Sequence, residues 1–148
     1  LAMYVQLVTT ENAATWRQVC ELSVDGGGTA KRLSLLHPAT IDHIQATGNA
    51  DNNTLEATSG WDADTDLVLG AARVAGTKLE LFRNGVSIGS QADTTSGQPI
   101  AAADLIVGHS AFTTNGAFFA GSIRRIAVYN VAHDDVEAVI VDAAWRGL

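Results

Sequence analysis

Lys78-Leu79-Glu80-Leu81-Phe82-Arg83-Asn84-Gly85-Val86-Ser87-Ile88-Gly89 is the stretch on which the fold turns. Residues 78–83 alternate apolar and polar side chains with a period of two, the signature of a strand with one face buried. Asn-Gly follows, then a second alternating run. Asn-Gly between two such runs is the favoured two-residue type I′ hairpin turn, because both central residues need positive φ. A further strand at residues 67–74 leads into this hairpin through Ala75-Gly76-Thr77, giving a three-strand meander.

Working outward, similar short runs lie at residues 2–8, 19–24, 32–36, 41–46, 54–58 and 104–108, and within 118–129, each bounded by Gly, Asn, Asp or Pro. About ten short strands at regular intervals predict a sandwich or barrel. Periodicity alone does not name the topology. One helix is predicted over 134–144. Asp134 supplies an N-cap and Glu137 the reciprocal residue of a capping box. Val136, Val139, Ile140 and Ala143 are its expected apolar face. Leu79, Leu81, Val107, Ile123, Ile126 and Val128 are expected to be largely buried.

The chain of 148 residues fits one domain with a real core. Hydrophobic residues make up 47% and charged residues 17%, which is a globular rather than a disordered composition. The net charge of -7 argues against nucleic acid as the main partner, which demands a basic footprint. The basic residues are dispersed. Their only adjacent pairs are Lys31-Arg32 and Arg124-Arg125, and neighbours in a regular strand point to opposite faces. No run reaches the roughly 20 apolar residues of a membrane span, so no membrane partner is expected. The single cysteine, Cys20, rules out an internal disulfide and reads as a small buried hydrophobe.

From Trp61 to Trp145 the order of motifs resembles the C-terminal half of a laminin-G-like, concanavalin-A-like lectin/glucanase domain. An aromatic anchor leads to a strand and a Gly turn, then to the strand ending in Asn84-Gly85. Leu105-Ile106-Val107-Gly108 stands where that family has a strand ending in Ile-Gly. Phe119-Ala120-Gly121-Ser122-Ile123, Ala127-Val128-Tyr129-Asn130 and the capped helix complete the pattern. The match covers roughly 85 residues, with the first 60 fitting loosely. It departs at His133, where the family usually has an apolar residue. The resemblance implies an all-β, antiparallel jelly-roll β-sandwich with a short C-terminal helix over residues 1–148. It also implies a strand upstream of residues 3–8, placed beside 121–129. The chain is therefore expected to lack its first strand or to be cut from a longer one, and residues 123–129 to be an edge covered by upstream residues or by another chain.

Four groups of residues carry candidate chemistry. Asp62, Asp64 and Asp66 form Asp-x-Asp-x-Asp, readable as a Ca2+ site or as a solvated acidic turn. They are not an EF-hand, because position twelve would be Arg73. Asp51, Asn52 and Asn53 can hydrogen-bond sugar hydroxyls, and are equally turn residues. His109, Phe112, Asn115 and Phe118 belong to the loop after Gly108, where an aromatic platform with planar polar neighbours suits a ligand. Phe118 and Phe119 cannot both face the core of a regular strand, so one is expected outside. Enzymatic acid–base work has no support in the sequence. The Glu-x-Asp-x-Glu signature of jelly-roll glucanases is absent, and Glu21 and Asp25 are about 13 Å apart along a strand.

Three function classes follow. The first is a non-catalytic, lectin-like adhesion module that binds glycan or protein with its end loops. The second is a structural virion module, such as a phage decoration, tail or fibre domain, packing on other subunits. The third is an ancillary domain of a secreted carbohydrate-active enzyme. An extracellular or virion-surface location is expected in each case.

Overall fold

The computed structural model describes residues 1–10, 16–23, 32–38, 43–48, 53–58, 61–93, 104–108 and 118–147. Among these, ten strands precede one helix: β1 (Ala2–Thr9), β2 (Arg17–Ser23), β3 (Arg32–His37), β4 (His43–Gly48), β5 (Thr54–Thr58), β6 (Asp66–Val74), β7 (Lys78–Arg83), β8 (Val86–Gln91), β9 (Asp104–Val107), β10 (Gly121–Tyr129) and α1 (Asp135–Arg146). They form two five-stranded antiparallel sheets, ordered β10-β1-β6-β7-β8 and β5-β4-β3-β2-β9. This is the expected jelly-roll sandwich with its C-terminal helix.

The meander behaves as its sequence dictates. Asn84 and Gly85 both take positive φ, 51° and 77°, the type I′ geometry whose twist matches the flanking strands. β6, β7 and β8 pair in succession around it.

Alternation along β1 sorts its residues onto two faces. Met3, Val5 and Leu7 face the second sheet and join Leu33, Leu35, Leu69, Leu79, Leu81 and Trp61 in the main core. Ala2 and Tyr4 face outward, where they meet Val68, Ala72 and Phe82 under Ala138 and Val141 of α1. β1, β6 and β7 are thus buried on both faces, which explains why β1 and β6 read as almost unbroken apolar runs.

The helix begins and ends as its sequence predicts. Asp134 accepts from the backbone N–H groups of Val136 and Glu137, and Glu137 accepts from the N–H of Asp134, which completes the capping box. Its rotation, however, corrects the expected face. Val136, Val139 and Ile140 are exposed, and the helix buries Ala138 and Val141 instead. On that side the last turn is tied to the first sheet: Arg146, which also donates to Asp142 within the helix, donates to the Asn84 side chain and to the Asp66 carbonyl.

Two further expectations are corrected at the sheet edges. Leu79 and Leu81 are fully buried, and Ile123 and Ile126 pack half-buried on the core. Val107 and Val128, expected inside, are 41% and 42% exposed. Both lie on strands that end their sheets, where no further described strand covers the core. β10 pairs with β1 along residues 121–129, so this strand has a partner within the chain where none was expected, and its outer edge has no described neighbour.

The contact between β1 and β6 is unusually close. Tyr4 lies opposite Gly70, and a Cβ at position 70 would stand 2.4 Å from the Tyr4 ring. The Tyr4 ring also stacks on Phe82, meets Tyr129 edge-on and lies tilted against His133, at centroid distances of 6.2, 6.0 and 5.5 Å. His133 also lies against Tyr129, its ring tilted at 4.4 Å between centroids. Gly70→Ala is expected to destabilise by roughly 1–3 kcal/mol through overpacking, although Ala is ordinarily the better strand residue. The Tyr4 hydroxyl is buried without a hydrogen-bond partner, so Tyr4→Phe is expected to cost nothing or to stabilise by up to about 1 kcal/mol. Urea unfolding of the two variants checks both signs.

Candidate functional site

Phe118 and Phe119 divide as expected. Phe118 is 64% exposed. Phe119 packs on the core, its ring edge-on to Trp61 at 6.2 Å, and Trp61 in turn lies edge-on to His37 at 4.9 Å. The Phe119 N–H donates to the Gly108 carbonyl at 2.8 Å and the Gly108 N–H to the Val19 carbonyl at 2.9 Å. Both ends of the connection from β9 to β10 are therefore fixed to the sandwich. Gly121 marks a close backbone approach: a Cβ there would lie 2.2 Å from the Val8 carbonyl oxygen. Its φ of 151° further favours glycine. His109, Phe112 and Asn115 lie outside the described residues.

Asn53 occupies a different kind of place. It is buried and bridges two neighbours: its Nδ2 donates to Asp93 Oδ1 at 2.7 Å, and its Oδ1 accepts from Gln91 Nε2 at 3.1 Å. Asp93 also accepts from Arg73 Nε at 2.7 Å, a pair whose side chains are 3% and 0% exposed. Asn53 therefore braces a buried polar network between β5, β6 and β8. Asp51 and Asn52 lie outside the described residues.

The three aspartates proposed for calcium are placed separately. Asp62 is exposed and pairs with Arg83. Asp64 sits in the left-handed region at φ 57°, its N–H donating to the Thr9 carbonyl. Asp66 accepts from Gln6 Nε2 and Arg124 Nη1. Among the described residues no group of three or more His, Cys, Asp or Glu is arranged to hold a metal ion. The geometry is that of an acidic turn tied down by its neighbours. Cys20 is fully buried, and desolvation pushes its thiol up to about 12, so it is an inert core residue.

A feature that the sequence did not reveal lies on the helix side of the first sheet. Gln6, Asp66, Arg124, Arg125, Trp145 and Arg146 line an open depression of about 510 Å³. The pairing of β1 with β10 shifts register there: Gln6 faces Arg125 and Leu7 faces Ile123, leaving Arg124 as an extra residue. This β-bulge brings Arg124 and Arg125 to one depression. The expectation that they point to opposite faces is corrected, because it assumed a regular pleat.

Comparison with known proteins adds the following. The family model for the concanavalin A-like lectin/glucanases superfamily, Laminin_G_3, matches residues 5–137. A CBM40 domain of the Ruminococcus gnavus IT-sialidase, solved with alpha2,3 sialyllactose, superposes with a TM-score of 0.73. Its identity is 17%, over 95% of this chain and 81% of that one. A heptameric SAP-like pentraxin from Limulus polyphemus superposes with a TM-score of 0.73 at 13% identity, over 95% of this chain and 68% of the other. The leech intramolecular trans-sialidase contains a similar domain, with a TM-score of 0.69 at 15% identity; this chain spans 22% of its length. No curated protein matches the sequence. At these identities the likeness concerns the fold.

The buried network offers a direct test of the role given to Asn53. Asp93→Ala leaves the Arg73 charge buried without its carboxylate and is expected to cost about 3–5 kcal/mol. Chemical denaturation monitored by tryptophan fluorescence measures it, and a loss under about 1 kcal/mol would refute a structural role for the network.

Proposed function

The chain belongs to the concanavalin A-like lectin/glucanases superfamily, and we propose that it is a non-catalytic, lectin-like module that binds glycan at the sandwich end marked by Phe118. The carrying observation is a large aromatic ring 64% exposed beside a partner, Phe119, that is fixed in the core. An exposed aromatic ring beside a residue anchored in the core is a surface on which the C–H face of a sugar can stack. The CBM40 domain solved with sialyllactose supports the reading by its fold.

Five of the described carboxylates are committed to pairs with neighbouring side chains, which supports a non-catalytic role for them. Asp62, Asp66, Asp93 and Asp142 are each held by an arginine, and Glu80 by Lys78 and Ser87. A retaining glycosidase would instead need two carboxyl groups roughly 5–5.5 Å apart facing substrate. Such a module acts outside the cell or on a virion surface.

A glycan array probed with and without calcium tests this function. Phe118→Ala is expected to lower affinity for a captured glycan about tenfold or more, since an aromatic hot spot is commonly worth about 2 kcal/mol. Unchanged binding would move the ligand elsewhere. Polysaccharide turnover abolished by one carboxylate substitution would overturn the non-catalytic reading.

A second reading, packing against other subunits of an assembly, is favoured by Val136, Val139 and Ile140, which are 65%, 53% and 60% exposed along α1. Self-association in sedimentation velocity that Ile140→Asp abolishes is the outcome expected of that reading.

A further inference from the structure

Three of the nine Lys and Arg residues of this acidic chain line one depression. Their roles there differ. Arg146 is held on three sides, by Asp142, Asn84 and the Asp66 carbonyl. Arg124 is 56% exposed at its side chain and uses one nitrogen, Nη1, on Asp66 at 2.9 Å. Arg125 is exposed and makes no hydrogen bond or ion pair with any described residue. The one acid in the depression, Asp66, is occupied by Gln6 and Arg124. A guanidinium fork therefore stands open beside two partly committed ones, with local positive charge in excess.

The backbone is arranged around this cluster. A regular β10 would send one of the two adjacent arginines to the far face. The bulge opposite Gln6 and Leu7 leaves one residue of β10 unpaired and keeps both at the depression. Bulges of this kind re-aim side chains and are common beside binding sites. Trp145 adds a half-buried indole held against the helix-side core.

We propose that this depression is a binding site for a carboxylate-bearing sugar. Arg125 and Arg124 supply the forked donors that match a carboxylate. Trp145 supplies an apolar surface for the sugar ring, which a bare inorganic anion would not use. Arg146 is already immobilised, so ordering it costs little on binding. The site is separate from the Phe118 platform and stands whether or not that platform binds glycan.

Isothermal titration of the 148-residue chain with 3′-sialyllactose and with trigalacturonate tests the site, using lactose, sodium sulfate and hexaglutamate as controls. An acidic sugar is expected to bind about tenfold or more tightly than lactose, and to weaken as NaCl rises from about 50 to about 500 mM. Arg125→Ala and Arg125→Gln are expected to lose about tenfold in affinity, with Arg125→Lys intermediate because an ammonium lacks the fork. The thermal midpoints of the Arg125 variants should match the parent. Undiminished binding in both Arg125→Ala and Arg125→Gln overturns the site while leaving the Phe118 reading untouched. Equal affinity for lactose, for sulfate or for hexaglutamate overturns the ligand class, the last two assigning the depression to a simple ion or an acidic peptide.

Discussion

The structure depends on one sheet being sealed on both sides. β1, β6 and β7 carry apolar residues on both faces, so a two-layer sandwich would leave Tyr4, Val68, Ala72 and Phe82 in water. The C-terminal helix prevents this, and the fit it achieves is specific. Gly70 makes room for the Tyr4 ring, and Gly85 lets the hairpin turn approach α1 closely, since a Cβ there would lie 3.1 Å from the Val139 Cα. The hairpin that closes the meander is therefore also the seat of the helix. Its Asn84 side chain accepts from the Val68 N–H and from Arg146, joining turn, strand and helix at one oxygen.

Sealing both faces restricts where polar groups can sit. Buried charge is paired in the Arg73–Asp93–Asn53–Gln91 network, because a buried charge without a partner is costly. Surfaces left for recognition are the sandwich end, the sheet edges and the rim of the helix. The exposed Phe118 belongs to the first and the arginine depression to the last. Each rests on a backbone fixed by the core, which is what a preformed binding site needs. Two such sites on one small sandwich would let it grip a branched or extended glycan at separate points, and two linked contacts bind more tightly than either alone.

Much of this was legible in the sequence. The alternating runs located the strands, Asn84-Gly85 located the hairpin with its positive φ angles, and Asp134 with Glu137 located the helix start. These are local properties: a period of two, a turn that only certain residues can make, and a cap that satisfies orphan N–H groups. The ordered motifs from Trp61 onward identified the family because each marks a backbone requirement of that sandwich, the close approach at Gly121 among them. The candidate site was legible in part. The split between Phe118 and Phe119 followed from alternation, whereas Asn53 was read as a surface residue because a buried amide and an exposed one look alike in sequence.

Tertiary structure decided the rest. The face of α1 that is buried does not follow the helix's own apolar pattern; it is the one that meets Tyr4, Val68 and Phe82, with Arg146 reaching residues 62 and 80 positions away in the chain. Val107 and Val128 are partly exposed because their strands end the sheets, and strand order is not written in any single strand. The arginine depression needed the bulge between β1 and β10, a mismatch in count between strands more than a hundred residues apart. The sequence by itself determined which segments are strands, turns and helix, because those follow from the preferences of neighbouring residues. Which side chains meet, and so where an anion could be held, depended on how distant strands register against one another, and only packing of the whole chain sets that.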